Sequence, residues 1–112
     1  MKIDIVEICG KKTVTREDGR VINQILMENW DGTDQFQIDF RNLMVASVSF
    51  IDEAFGSLAL CNTSSELKRK LIFQNMVPYD RKLLNDIIVL RLRQQTVASR
   101  EACSLAPAGK NA

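Results

Sequence analysis

The 112-residue chain contains no histidine. Without an imidazole there is no Ser–His or Cys–His nucleophile pair and no histidine-bearing zinc site. The three cysteines, Cys9, Cys61 and Cys103, are far apart and form no C-x-x-C pair. They are read as reduced thiols of a cytoplasmic protein. There are five glycines and two prolines, and no glycine-rich phosphate loop. No run approaches the roughly eighteen apolar residues that cross a bilayer. The best candidate, Leu83 to Leu92, is cut by Asn85, Asp86 and Arg91. Asp4 and Glu7 interrupt the amino-terminal MKIDIVEICG before a secretion-signal core could form. A net charge of +1 gives no field to steer nucleic acid or an anionic membrane, so neither is an expected partner. No catalytic residue, metal or cofactor is expected from these residues.

What remains is an ordinary globular composition, 46% hydrophobic and 26% charged, with enough length for a single core without disulfides or metals. Lys2 to Ile8, rich in β-branched residues, reads as a strand followed by a turn at Cys9 to Lys12. Thr13 and Val14 can pair as a short second strand. Thr15 and Asp18 are spaced as a capping box for a helix from Arg16 to Trp30, with Val21, Ile22, Ile25, Leu26 and Trp30 as its apolar stripe. Gln35 to Phe40 alternates, with Phe36, Ile38 and Phe40 on one face and Gln35, Gln37 and Asp39 on the other, the pattern of a strand with one less-covered face. Glu66 to Lys70 makes a helical turn before a buried strand at Leu71 to Met76. Pro78 then opens a last helix carrying Leu83, Leu84, Ile87, Ile88 and Leu92. The order of elements is that of an α/β sandwich with parallel neighbours. One domain is expected over residues 1–97, followed by a mobile tail over residues 98–112.

The chain is organised around Asp39 to Leu60, DFRNLMVASVSFIDEAFGSLAL. The strand Gln35 to Phe40 ends there, and a helix is predicted from Phe50 to Leu60 with Ser49 as its N-cap. Asp52 stands three residues on, and Glu53 lies near the positive end of the helix dipole. Gly56 costs about 1 kcal/mol against alanine within a helix, a sign that another element approaches the backbone there.

Three stretches carry a family resemblance. QIDFRNL resembles the Asp-ending strand, VASVSFIDEAFGSLAL the S-x-S-F-x-D-E-x-F-G-x-L signature, and KLIFQNM the later strand closing on Asn75, all of the STAS-like branch of the sulphate transporter and anti-sigma-factor antagonist domain. TREDGRVINQIL is similar to the helix before them. The resemblance implies a mixed, mostly parallel sheet of about four strands with helices mainly on one face. It also implies a non-catalytic regulatory module with a protein partner, a histidine-kinase-like ATPase or a serine kinase. By that match Ser49 falls where antagonists are phosphorylated, and Ser47 falls where they usually carry Asp; both are phosphorylation candidates.

The residues themselves leave alternatives open. Ser49 is either a cap alone or also a switch, and a phosphate on it would face the like charge of Asp52 and Glu53. Those two carboxylates either compensate the helix dipole or meet a partner. Asp39 either pairs with Arg41 and the loop or takes part in recognition. Phe50 is a staple if buried and an aromatic anchor if exposed. Asp39, Phe50, Asp52, Glu53 and Asn75 form the expected partner-binding set. The alternative function is a constitutive scaffold or homodimer built on Phe50 and the acidic helix start. Lys68, Arg69 and Lys70, with Arg91 and Arg93, read as solvated surface.

Overall fold

The first strand is cut short by its own aspartate. A computed structural model describes residues 1–95, and in it β1 covers only Lys2–Asp4 before helix α1 takes over at Ile5–Cys9. Asp4 caps that helix, its Oδ1 accepting from the Glu7 backbone N–H at 3.1 Å. Gly10 ends it at φ 72°, its N–H returning to the Val6 carbonyl at 2.8 Å. The long strand expected over Lys2 to Ile8 is therefore corrected to a strand and one helical turn. The local cap outweighs the β-branched run.

Next come β2 (Thr13–Val14) and α2 (Arg16–Asn29). The capping box at the start of α2 is present: the Thr15 backbone N–H donates to Asp18 Oδ2 at 2.9 Å, and Lys11 Nζ reaches the same oxygen at 3.0 Å. Ile22 and Leu26 of the expected stripe are buried, but Val21 is 46% exposed. Trp30 stacks on Phe36 with centroids 5.7 Å apart. Then follow β3 (Phe36–Asp39), β4 (Val45–Ala46), α3 (Val48–Ala54) and a 3-10 turn over Gly56–Leu60. The last elements are α4 (Ser64–Lys70), β5 (Leu71–Gln74) and α5 (Pro78–Gln94).

All the strand pairs are parallel. One sheet has the order β1-β3-β5, and β2 pairs with β4 in a second, two-stranded sheet. The α/β expectation holds, with the strands divided between sheets of three and two. Register places Ile3 beside Ile38 and Ile38 beside Phe73, on the face that joins the core. Asp4, Asp39 and Gln74 form the next row, and because side chains alternate they occupy the opposite face.

The core beneath the sheet is aromatic. Phe55 meets Phe73 edge-on at 5.1 Å and Phe50 at 6.1 Å. Leu84 and Ile87 of α5 close it from the other side. Lys70 is buried, unlike the solvated cation expected: its Nζ donates to the Trp30 and Thr33 carbonyls, each at 2.6 Å. It thereby satisfies backbone acceptors at the end of α2. Among the described residues, no helix is long and apolar enough to cross a membrane. Cys9 is a free thiol whose pKa is pushed up by burial. Cys61 departs from the all-thiol expectation because it is disulfide-bonded. The tail expected over residues 98–112 lies outside the described residues.

Candidate functional site

The link between β3 and α3 is built from the sheet outward. Asp39 ends β3, and its Oδ1 accepts from the Arg41 backbone N–H and from Asn75 Nδ2, each at 2.8 Å. Asn75 holds a left-handed backbone, φ 58°, just past the end of β5. Arg41 Nη2 lies 2.9 Å from Asp4 Oδ2, and Arg41 Nε lies 4.0 Å from Asp39 Oδ2. The Asp4 carboxyl sits below its usual range because the Glu7 backbone N–H and the Arg41 guanidinium both favour its charged form. Asp39 and Asn75 thus belong to one polar network at the carboxyl ends of the strands. That network borders a groove of about 560 Å³, which Gln37 and Gln74 also line.

The start of α3 is a second, separate group. Ser47, not Ser49, is the N-cap: its Oγ accepts from the Phe50 N–H at 3.0 Å. The expected helix from Phe50 to Leu60 is corrected on both sides. It begins earlier at Val48, and it ends at Ala54 before the 3-10 turn. Gly56 shows why a close approach is needed here, since a Cβ on it would lie 2.5 Å from Asp52 Oδ1 and 2.9 Å from Ile87 Cγ2. Phe50 is fully buried, 0% exposed, so it is a staple inside the aromatic core and not a surface anchor.

Ser49, released from capping, is half-buried, and its Oγ accepts from Arg16 Nη2 at 3.3 Å. Arg16 Nη1 also lies 3.4 Å from Glu53, and Arg20 Nε lies 3.1 Å from the same carboxylate. Asp52 points the other way and is gripped by Arg91 on α5. Both carboxylates of the acidic pair are therefore paired with arginines from other helices. No side-chain hydrogen bond or ion pair among the described residues joins this group to Asp39 or Asn75.

Arg16 and Arg20 are residues that sequence reasoning missed, and Arg91, expected as solvated surface, is instead half-buried against Asp52. Arg16 and Arg20 stand four apart, and so one turn apart on a single face of α2, a signal that was available. Arg91 had no such signal, because its partner on α3 is brought to it only by tertiary packing. Exposed apolar side chains lie on the segment that leads into α3: Met44 (76% exposed), Val45 and Val48. No group of three or more His, Cys, Asp or Glu among the described residues is placed to hold a metal ion.

Residues 19–81 match the family model described as STAS-like domain of unknown function (DUF4325), over more than half of the chain. The chain belongs to this STAS-like family. The STAS-like match runs from Gly19, where α2 crosses α3, to Arg81 in the first turn of α5, so it includes all of Asp39 to Leu60. No curated protein and no solved structure matches the chain.

Proposed function

We propose that this STAS-like chain is a non-catalytic regulatory module, that it binds a protein partner through the start of α3, and that phosphorylation of Ser49 switches that contact. The partner kinase is a histidine-kinase-like ATPase or a serine kinase. One observation carries the reading: Arg16 Nη2 stands 3.3 Å from Ser49 Oγ. The acidic neighbours that argue against a phosphate there are already neutralised, Asp52 by Arg91 and Glu53 by Arg16 and Arg20. A phosphate brings strong acceptor oxygens that an arginine can pair with. Ser47 is the poorer candidate, since its oxygen already caps α3.

Met44, Val45 and Val48, exposed on the segment leading into α3, supply apolar area for the partner. A constitutive homo-oligomer built on Phe50 is disfavoured because Phe50 is inside the core. The test incubates the full chain with ATP and a histidine-kinase-like ATPase or serine kinase, and reads intact mass. One added phosphate, lost in Ser49→Ala, supports the switch. No added mass, or a phosphate retained in Ser49→Ala, overturns it and leaves unswitched binding.

A further inference from the structure

A second surface, remote in sequence from Ser49, lies where α4 and α5 diverge over β5. It is a groove of about 230 Å³, room for roughly eight waters at ~30 Å³ each, or for one large side chain with space beside it. Its apolar lining includes Leu67 of α4, Phe73 of β5 and Ile88 of α5. Phe73 and Ile88 are only partly buried, so the chain leaves apolar surface open at the bottom of a concave site.

The charge around this groove has one sign. Lys68 and Arg81 line it, both exposed, and no carboxylate does. Neither cation forms an ion pair among the described residues, although Lys82, next to Arg81, is held by Asp86 at 2.9 Å. Two unpaired cations on the rim of an apolar slot favour an occupant that is apolar at its centre and anionic on both sides. A second copy of the chain fits badly. Its most exposed apolar side chain, Met44, has no carboxylate within four positions, and Tyr79 has Asp80 on one side only, with none among the four residues before it and with Arg81 and Lys82 directly after Asp80.

We propose that the groove between α4 and α5 is a docking slot for a partner's peptide segment that inserts one large apolar side chain between flanking carboxylates held by Lys68 and Arg81. The segment seats its apolar side chain against Phe73 and Ile88. The two rim cations fix its register and steer its approach. Because no residue of the slot belongs to α3, the slot works whether or not Ser49 is phosphorylated.

The test selects a displayed library of random dodecamer peptides on the full chain. The labelled consensus peptide is then titrated, and its binding is mapped by amide chemical shifts. The expected consensus is one aromatic or leucine residue flanked by Asp or Glu, with shifts concentrated in α4, β5 and the first half of α5. Lys68→Glu with Arg81→Glu should weaken binding by about tenfold or more, and raised salt should weaken it as well. Both side chains are exposed, and circular dichroism checks the fold; Lys68→Ala with Arg81→Ala serves if the reversal disturbs it. Failure to enrich, a basic or uncharged consensus, shifts at α3 instead, or a dimer whose interface fills the groove would each overturn the proposal.

Discussion

Arg91 grips Asp52 with two prongs, Nη2 at 2.6 Å from Oδ2 and Nε at 2.8 Å from Oδ1, across 39 positions of sequence. The pair ties α5 to α3, and the hydrogen bonds to Asp52 raise the Arg91 pKa further above an already high value. Two charge-assisted bonds in a partly buried, planar geometry exceed an ordinary surface pair. Arg91→Ala should therefore lower stability by about 1–2 kcal/mol, read as a lower urea midpoint at unchanged slope. Arg91→Lys should recover little of it, because an ammonium cannot reproduce the fork.

Gly19 predicts an inversion of the usual helix rule. It sits inside α2, where alanine would normally gain about 1 kcal/mol. A Cβ there would lie 2.8 Å from the Phe50 carbonyl oxygen and 3.0 Å from Glu53 Cβ, so α2 and α3 would have to separate. Overpacking of this kind costs about 1–3 kcal/mol. Thermal unfolding should show Gly19→Ala below the parent, whereas an equal or higher Tm would mean that the helices part freely.

The crossing of α2 and α3 also marks where sequence reading stopped. Periodicity placed α2, β3, β5 and α5 closely, because each has a face that must be buried. It failed at Lys2 to Ile8, where Asp4 with Glu7 three residues on, and Gly10 beyond, were the signals of a capped turn. It misplaced the cap of α3 by two residues because Ser47 and Ser49 are equivalent as sequence. Asp52 favoured Ser49 by spacing, but Asp52 turns to Arg91 and does not reach back to the backbone. That choice depends on an arginine of α5 that lies 39 positions along the chain, and no local pattern encodes it.

Asp18 gives a pH dependence of definite sign. Burial alone would raise its pKa, but the Thr15 backbone and hydroxyl donors and Lys11 outweigh that and hold it below the ordinary 3.8. Since the folded value is below the unfolded one, ionised Asp18 contributes stability that is fully present above about pH 4 and is lost as pH falls through the lowered folded value. Urea midpoints measured from pH 6 down to pH 2 should fall for the parent. Asp18→Asn should begin lower and fall less steeply over that window, and an unchanged slope would remove Asp18 from the acid response.

Lys70 offers a spectroscopic test of the end of α2. Its ammonium donates to the Trp30 and Thr33 carbonyls and lies 5.2 Å from the Trp30 ring centroid. Lys70→Met keeps the apolar stem but leaves both carbonyls without that donor, at a cost of about 1–3 kcal/mol. Trp30 is the only tryptophan, so its emission reports directly on the loss. The expected result is a shifted native spectrum together with a lower midpoint.

Competition for Arg16 decides how the proposed switch would behave. In the unmodified chain Arg16 divides itself between Ser49 Oγ at 3.3 Å and Glu53 at 3.4 Å, while Arg20 lies closer to Glu53 at 3.1 Å. A phosphate on Ser49, near −2 in charge at neutral pH, attracts Arg16 more strongly than a single carboxylate does. Arg16 should swing to the phosphate, leaving Glu53 to Arg20. The phosphorylated chain should then be at least as stable as the unmodified one, with the difference shrinking as salt rises. In Arg16→Ala the phosphate faces Glu53 with one cation fewer, and phosphorylation should destabilise by about 0.5–1 kcal/mol. A thermal-unfolding cycle of parent and Arg16→Ala, each with and without the phosphate, isolates the coupling. A coupling of zero would mean that Arg16 has no part in reading the modification.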